Sequence, residues 1–533
     1  MGIAFPPLPT GGLAFGALVP LLWVLEQAPT LTHLVRVGYV FGFCFHGAAN
    51  WWVSSWQAEA DPYLLVAGVL LWLGHPLFFL LPLLAVGWLA RHLSPRWAVR
   101  CFPLFWVAFE WLHSLGEIGY PWLLLGYTQA QHQSWIQIAD LAGVWGASFL
   151  VLWVNVAAYE LLRSWSRARV RGESFLHWLR QRATIGMVVL AAALVSVPML
   201  YGMVRLHQLR STPVRGLLRA ILVQPDFNPW AKWEAMTAVE QIQQQQRLTD
   251  SLLHRFPAEL VVWNETAIPV PITAPEYRWL WESLRGWVRQ RGCALLSGFA
   301  EMQFVPAHRA TPLMKPVPWD STRFYEAYNA VLLLSPAGEL AGVHRKVRLT
   351  PFAERFPYAE LLGRLPHVVE WGVGISSWAK GSEQRLLRMS RSDGDTLRIG
   401  VAICIESIFP DFARAYARQG GQLLVVVSND AWFDHTPGPA QHFAIARVRA
   451  IELRRPLLRC ANSGITAAVL PTGEVVAELP QYVAAALPVV LPLGDASSLY
   501  ERIGDLLPQG AAVLCGVLLL GTGVRQAVQR KIA

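Results

Sequence analysis

A carboxylate, an ammonium and a thiol stand in three separate short motifs, each at the downstream end of an apolar run that reads as a β-strand: Glu265 in LVVWNETAIP, Lys346 in LAGVHRKVRLTPFAE and Cys404 in RIGVAICIES. Strand ends are where an α/β sheet commonly presents functional groups. A cysteine is a poor nucleophile until it is deprotonated, so it needs a base within reach and a positive neighbour. Glu265 offers the base; Lys346 offers a cation for the thiolate and then for an oxyanion. Each residue also has a plainer reading. Cys404 alone fits a small buried hydrophobe, Glu265 between Asn264 and Thr266 fits a turn or cap, and Lys346 alone fits a solvated charge. Against the last, only five of the 45 basic residues are lysine, so a lysine here marks a position that a planar guanidinium does not fill.

The elements that must position these groups change character along the chain. Between residues 215 and 492, short β-branched runs alternate with amphipathic stretches. Segments 217–224, 259–263, 294–298, 330–335, 397–404, 423–428, 457–461 and 465–471 read as strands, and 235–254, 276–291 and 440–453 as helices. That is the pattern of an α/β domain large enough for its own core. The rest is different. A bilayer needs roughly 20 apolar residues per helix, and such runs occur near 11–28, 35–56, 62–90, 98–115, 139–162, 183–204 and 506–524. The expectation is an α-helical multi-pass membrane domain over 1–204, an α/β domain over 215–492 and a closing membrane helix over 506–524, with Pro76 and Pro82 kinking or splitting the third run.

Composition agrees, since 54% hydrophobic and 15% charged residues leave too little polar surface to coat a water-soluble globule of 533 residues. The net charge of +9 does not point to nucleic acid, because the arginines are scattered and form no long basic run. They gather beside the apolar runs instead. Arg163, Arg167, Arg169, Arg171, Arg180 and Arg182 mark one connection as cytoplasmic, and Arg91, Arg96 and Arg100, with Arg525, Arg530 and Lys531, agree if the spans alternate. The long segment between 204 and 506 then lies outside. Six cysteines without paired spacing argue against a disulfide framework or zinc site, so neither metal nor cofactor is expected. The uncharged start, MGIAFPPLPT, does not read as a cleavable signal.

Taken together, the three motifs resemble the nitrilase, or carbon-nitrogen hydrolase, superfamily, whose members use Glu, Lys and Cys in this chain order. Within it the sequence is similar to the apolipoprotein N-acyltransferase family, the branch with this membrane embedding. The likeness runs through PWLLLGYTQ and LAGVWGASFLV in the membrane half, VQPDFNPWAKW at the domain start, SNDAWF, and most specifically GPAQHFAIARVRAIELRRPLLRCANSGITAAVLPTGEV. The chain begins close to the end of what resembles that family's first membrane helix, just before GGLAFGALVPLLW, which fits seven spans rather than the usual eight. Where the family often has Pro, an aromatic and Gly, this chain has Asn264, Ile405 and Ala353.

The resemblance implies an α-β-β-α sandwich in which Cys404 is the nucleophile, Glu265 the general base and Lys346 the oxyanion-stabilising cation. Glu354 would hold the lysine, and Glu406 would support the nucleophile. It further implies transfer of an acyl chain from a membrane phospholipid, through a Cys404 thioester, to the amine of a diacylglyceryl-cysteine apolipoprotein, at the outer face of a bacterial inner membrane. The backbone N–H of Ile405 is a further oxyanion donor by analogy. Two other readings are a membrane-tethered amidase or nitrilase that passes its acyl group to water, and a transporter with a binding domain; the latter lacks paired half-repeats. Glu110, costly inside a span, should face another helix or a wet cavity. Trp122, Trp432 and Phe433 are candidates to guide lipid chains or simply core aromatics.

Overall fold

The computed structural model describes residues 1–28, 30–54, 62–230, 236–311, 314–317, 320–362, 378–494 and 496–532. Trp56, at the expected end of the second span, and residues 231–235, which hold the end of VQPDFNPWAKW and the start of an expected helix, lie outside them.

Thirteen strands form two sheets among the described residues. The first contains β1 (Gly216–Gln224), β2 (Leu260–Trp263), β3 (Ala294–Pro306), β4 (Lys315–Val317), β5 (Asp320–Leu334) and β6 (Leu340–Arg345). The second contains β7 (Leu387–Ser390), β8 (Thr396–Ile403), β9 (Leu423–Ser428), β10 (Leu457–Ala461), β11 (Thr466–Val469) and β12 (Val475–Leu479). The last strand, β13 (Ala485–Leu493), returns to the first sheet beside β1. Parallel pairing joins β1 to β2 and β2 to β3 in one sheet, and β8 to β9 and β9 to β10 in the other.

The strands alternate between two cores, as a period of two requires. Leu260 and Val262 of β2 meet Leu423, Val425 and Val427 of β9 in a core between the sheets. Val261 and Trp263 point the other way, into a core with the helices Ala238–Leu253 and Arg278–Arg291. Leu424 and Val426 likewise face away, toward the helices Pro410–Arg418 and Gly438–Leu453. The layers are therefore helix, sheet, sheet, helix. The second helix layer does not end at water, because its core is continuous with that of the membrane half. Helix Gly438–Leu453 is consequently buried nearly all round and has no polar stripe.

Helices occupy each expected membrane run: Val19–Gln27 with a preceding short turn, Leu31–Asn50, Pro62–Gly74 with Pro76–His92, Pro95–His113, Ala139–Val170, Arg182–Arg210 and Leu506–Ile532. Among the described residues, four stretches are long and apolar enough to cross a bilayer: Leu64–His92, Trp135–Val170, Arg182–Arg210 and Leu506–Ile532. Val19–Gln27 is short. Leu31–Asn50 carries His33, Arg36 and His46, and Pro95–His113 carries Arg96, Arg100 and Glu110, which lower their hydropathy. On Arg182–Arg210 and Leu506–Ile532 large apolar side chains such as Val189, Leu200, Val517 and Leu520 point outward, a surface suited to lipid and not to water. The third run bends at His75, ahead of Pro76, which needs no N–H partner at a helix start. Pro82 stays inside the second half. Glu110 is buried and turned to a loop: its Oε1 accepts from Leu125 N at 2.7 Å and from Trp106 Nε1 at 3.2 Å, which pins the PWLLLGYTQ segment.

Candidate active site

Three of the residues singled out by their motifs lie directly beyond strand ends, in one place between the sheets. Glu265 stands two residues after β2, Lys346 follows β6 and Cys404 follows β8. The Glu265 turn is set by backbone proximity: a Cβ added at Gly298 of β3 would come within 2.5 Å of Asn264 O and Thr266 N and 2.8 Å of Glu265 Cα. Only glycine permits that approach. Lys346 is fixed through its main chain, its N–H bonding Asn329 O at 2.8 Å and its carbonyl accepting from Gly381 N at 2.8 Å.

The Lys346 ammonium is 1% exposed and lies between two carboxylates, 3.3 Å from Glu265 Oε1 and 2.8 Å from Glu354 Oε1. Asn329 Nδ2 donates to the same two groups, at 2.7 Å to Glu265 and 3.2 Å to Glu354, and Thr350 N holds the other Glu354 oxygen at 2.7 Å. Burial works against the charge on Lys346, but Glu265 and Glu354 outweigh it and hold the ammonium protonated well above its ordinary range. Burial likewise works against ionised Glu354, and Lys346 overcomes it, so that carboxyl stays below its usual value.

Cys404 has φ +50°, a left-handed conformation that costs a non-glycine residue about 1–3 kcal/mol and recurs where a nucleophile is lifted out of a strand. Burial pushes its thiol pKa up; Glu265 adds to that, and Lys346 only partly offsets it. A thiol held up in this way needs a base before it can attack. Glu406, fully buried, is the brace of this turn. Its Oε2 accepts from Ile403 N at 2.8 Å and meets His344 Nε2 at 3.1 Å, while its Oε1 accepts from Val347 N at 2.6 Å and Arg348 N at 3.1 Å. One carboxylate thus ties the Cys404 turn to the Lys346 loop.

Residues not singled out from the sequence complete the surroundings. Asn329 sits inside β5, where an amide carries no motif. Asp430, in SNDAWF, and His442, in GPAQHF, approach the thiol: Cys404 Sγ, an Asp430 oxygen and a His442 ring nitrogen lie within 4.8 Å of one another. Their types suit a metal, but the Arg459 guanidinium bonds Asp430 Oδ2 and puts a fixed positive charge where a cation would go. Burial opposes ionisation of Asp430, yet Arg459 and His442 keep it far below the usual carboxylate range. Trp122 is a packing residue, buried, with Nε1 bonded to Gln441 Oε1 at 2.9 Å and its ring 5.3 Å from that of His442. Phe433 packs on Trp52 and Trp432 on Trp230.

Comparison with known proteins fits this arrangement. Residues 219–497 match the carbon-nitrogen hydrolase family, and residues 1–157 match the apolipoprotein N-acyltransferase N-terminal domain. The apolipoprotein N-acyltransferase of Chlorobaculum tepidum is 34% identical over 529 residues, covering 99% of this chain and 95% of that one. That of Geobacter metallireducens is 31% identical over 530 residues, covering 97% and 93%. Among solved structures, Saccharomyces cerevisiae Nit3, of the nitrilase superfamily, is 18% identical with a TM-score of 0.38, covering 53% of this chain and 92% of its own. A nitrilase-type sandwich carried on apolar helices, with whole-length likeness to enzymes of one name, makes this membrane protein a member of the apolipoprotein N-acyltransferase family.

Proposed function

We propose that the chain transfers an acyl group from a membrane phospholipid to the N-terminal amine of a diacylglyceryl-cysteine apolipoprotein, with Cys404 carrying the acyl group between the two. The observation that supports this most is the burial of Lys346 between Glu265 and Glu354, beside a strained Cys404 whose thiol must lose its proton to react. Asn329 Nδ2 and Lys346 Nζ both donate to Glu265 Oε1, and Oε2 is assigned the thiol proton. Sγ then attacks the ester carbonyl, and the oxyanion gathers against Lys346 and the Ile405 N–H. The C–O bond breaks, Glu265 returns the proton to the departing alkoxide, and lysophospholipid leaves. In the second half the apolipoprotein amine attacks the thioester, gives a proton to Glu265 and leaves as an amide, while Sγ recovers that proton. A thioester suits the task because it is activated enough for an amine to take the acyl group.

The division into a membrane half (1–204 with 506–524) and a catalytic domain (215–492) belongs to the same reading, as does a bacterial inner-membrane location with the catalytic domain on the periplasmic side. The arginines between Arg163 and Arg182 support that orientation. Mass spectrometry of purified protein incubated with phospholipid tests the chemistry. The expected result is an acyl mass on the Cys404 peptide, absent in Cys404→Ala and discharged by a diacylglyceryl-cysteine peptide with formation of its amide. Discharge to free fatty acid alone, with the peptide unmodified, would make the chain a hydrolase.

A further inference from the structure

Among the buried groups near the site, His442 is one to which the acyl-transfer steps give no task. It is 1% exposed, on the helix Gly438–Leu453, and its two ring nitrogens face different partners. Nδ1 lies 2.9 Å from Asp430 Oδ1 and 3.1 Å from an Arg459 nitrogen. Nε2 lies 3.1 Å from the carbonyl oxygen of Cys404 and 2.9 Å from Ser407 Oγ, and that hydroxyl itself donates to the same carbonyl at 2.8 Å. A carbonyl can only accept, so Nε2 carries a hydrogen. That assignment holds in either charge state of the ring. Neutral, Nδ1 accepts from Arg459; protonated, it donates to Asp430.

The carbonyl that receives these two donors belongs to the residue held at φ +50°. A left-handed cysteine persists only where its surroundings over-determine it, and Glu406 secures one side of the turn, through Ile403 N. We propose that His442, oriented by Asp430 and Arg459, is a positioning residue that clamps the Cys404 carbonyl with Ser407 and so holds the thiol and the following N–H in register with the substrate carbonyl. It is not a second base. Its Nε2 is committed to main chain and hydroxyl, and its Nδ1 to Asp430 and Arg459. The proposal rests on the thioester reading above, and goes beyond it in giving the SNDAWF and GPAQHF motifs one joint duty.

The test is single-turnover acylation of Cys404 in the full-length protein, from phospholipid and separately from a p-nitrophenyl ester, across pH, for His442→Phe and His442→Gln. Phe keeps the ring volume and loses the donor; the Gln amide restores a donor near Nε2. Alkylation of Cys404 by iodoacetamide, which needs no aligned oxyanion donors, is measured in parallel. The expected result is acylation of His442→Phe lowered by about 100-fold, the scale of a small misplacement of reacting groups, with alkylation near wild type. His442→Gln is expected to recover most of the rate with an unmoved pH profile. Equal failure of Phe and Gln with a shifted profile would make the ring a base and overturn the clamp. Wild-type acylation in His442→Phe, or parallel loss of acylation and alkylation, would overturn it too. If the wild type is acylated by the p-nitrophenyl ester but not by phospholipid, the donor assignment fails while the clamp is still decided on the ester.

Discussion

At the scale of residues, the site is a buried chain of opposite charges, and the partners are not interchangeable. Glu265→Gln keeps the bond from Lys346 but cannot take a proton. Thioester formation from phospholipid is expected to fall by roughly 10²- to 10⁴-fold, the range for a lost general base, measured in a single turnover. Lys346→Arg keeps the charge and loses the fit, because a planar fork cannot sit between two carboxylates 2.8 and 3.3 Å from one nitrogen. It is expected to be severely impaired as well; acylation at the wild-type rate would leave Lys346 a remote charge with no oxyanion duty. The Lys346–Glu354 pair also has a pH signature. Glu354 is depressed from its ordinary value of 4.5, so its contribution to stability is complete above that pH and is lost as pH falls through the lowered folded value. Lys346 is raised from 10.5, so its contribution is complete below that pH and fades only in stronger alkali. Thermal unfolding followed from neutral to acid pH should show a loss that Glu354→Gln flattens. The positions of Glu265, Lys346 and Cys404 were legible in the sequence because each stands in a polar break after an apolar run, and those of Glu354 and Glu406 through the family resemblance alone. Asn329 and His442 were not, since an amide inside β5 and a histidine inside a buried helix gain meaning only from partners dozens of residues away.

At the scale of elements, the strands that carry the site were readable and the ones that frame it less so. β9 and β10 match their expected bounds because a short apolar run between polar breaks is a complete signal for a strand buried on both faces. β3 and β5 run on well past the apolar segments 294–298 and 330–335, paired antiparallel from Leu295 with Leu334 to Pro306 with Arg323. Their outer halves, such as Glu301, Gln303 and Glu326, alternate polar with apolar residues and bury less, so an apolar-run criterion stops short. The backbone approach of β3 to the Glu265 turn gives a prediction of its own. Gly298→Ala adds one methyl group and forces the Asn264–Thr266 backbone to shift, at about 1–3 kcal/mol for overpacking. Acylation should drop far more than the midpoint of thermal unfolding suggests, because the shift falls on the base; unchanged acylation would mean that the turn yields without moving Glu265.

At the scale of the whole molecule, the catalytic sandwich and the membrane bundle share one core and a polar seam. Arg454, fully buried at the end of helix Gly438–Leu453, donates to Asp140 at 2.7 Å and to Gln137 Oε1 at 2.6 Å. Glu452 accepts from Val144 N at 2.7 Å, and Arg449 reaches Tyr127 OH at 2.9 Å. The same helix brings His442 to Cys404. The proposed orientation is tested on intact cells by an impermeant thiol reagent. A cysteine placed at the exposed Trp279 should be labelled and one at Arg169 should not; the opposite pattern would invert the topology. The seam has a consequence for how the enzyme meets its substrates. Under the proposed function, a thiol fixed to the membrane helices cannot go out to fetch a lipid, so a phospholipid donor would have to arrive by diffusing sideways in its leaflet. The relevant concentration is then a mole fraction in two dimensions. Diluting phospholipid with an inert surfactant at constant bulk amount should slow acylation of Cys404 in proportion, whereas adding buffer at constant surface composition should leave it unchanged.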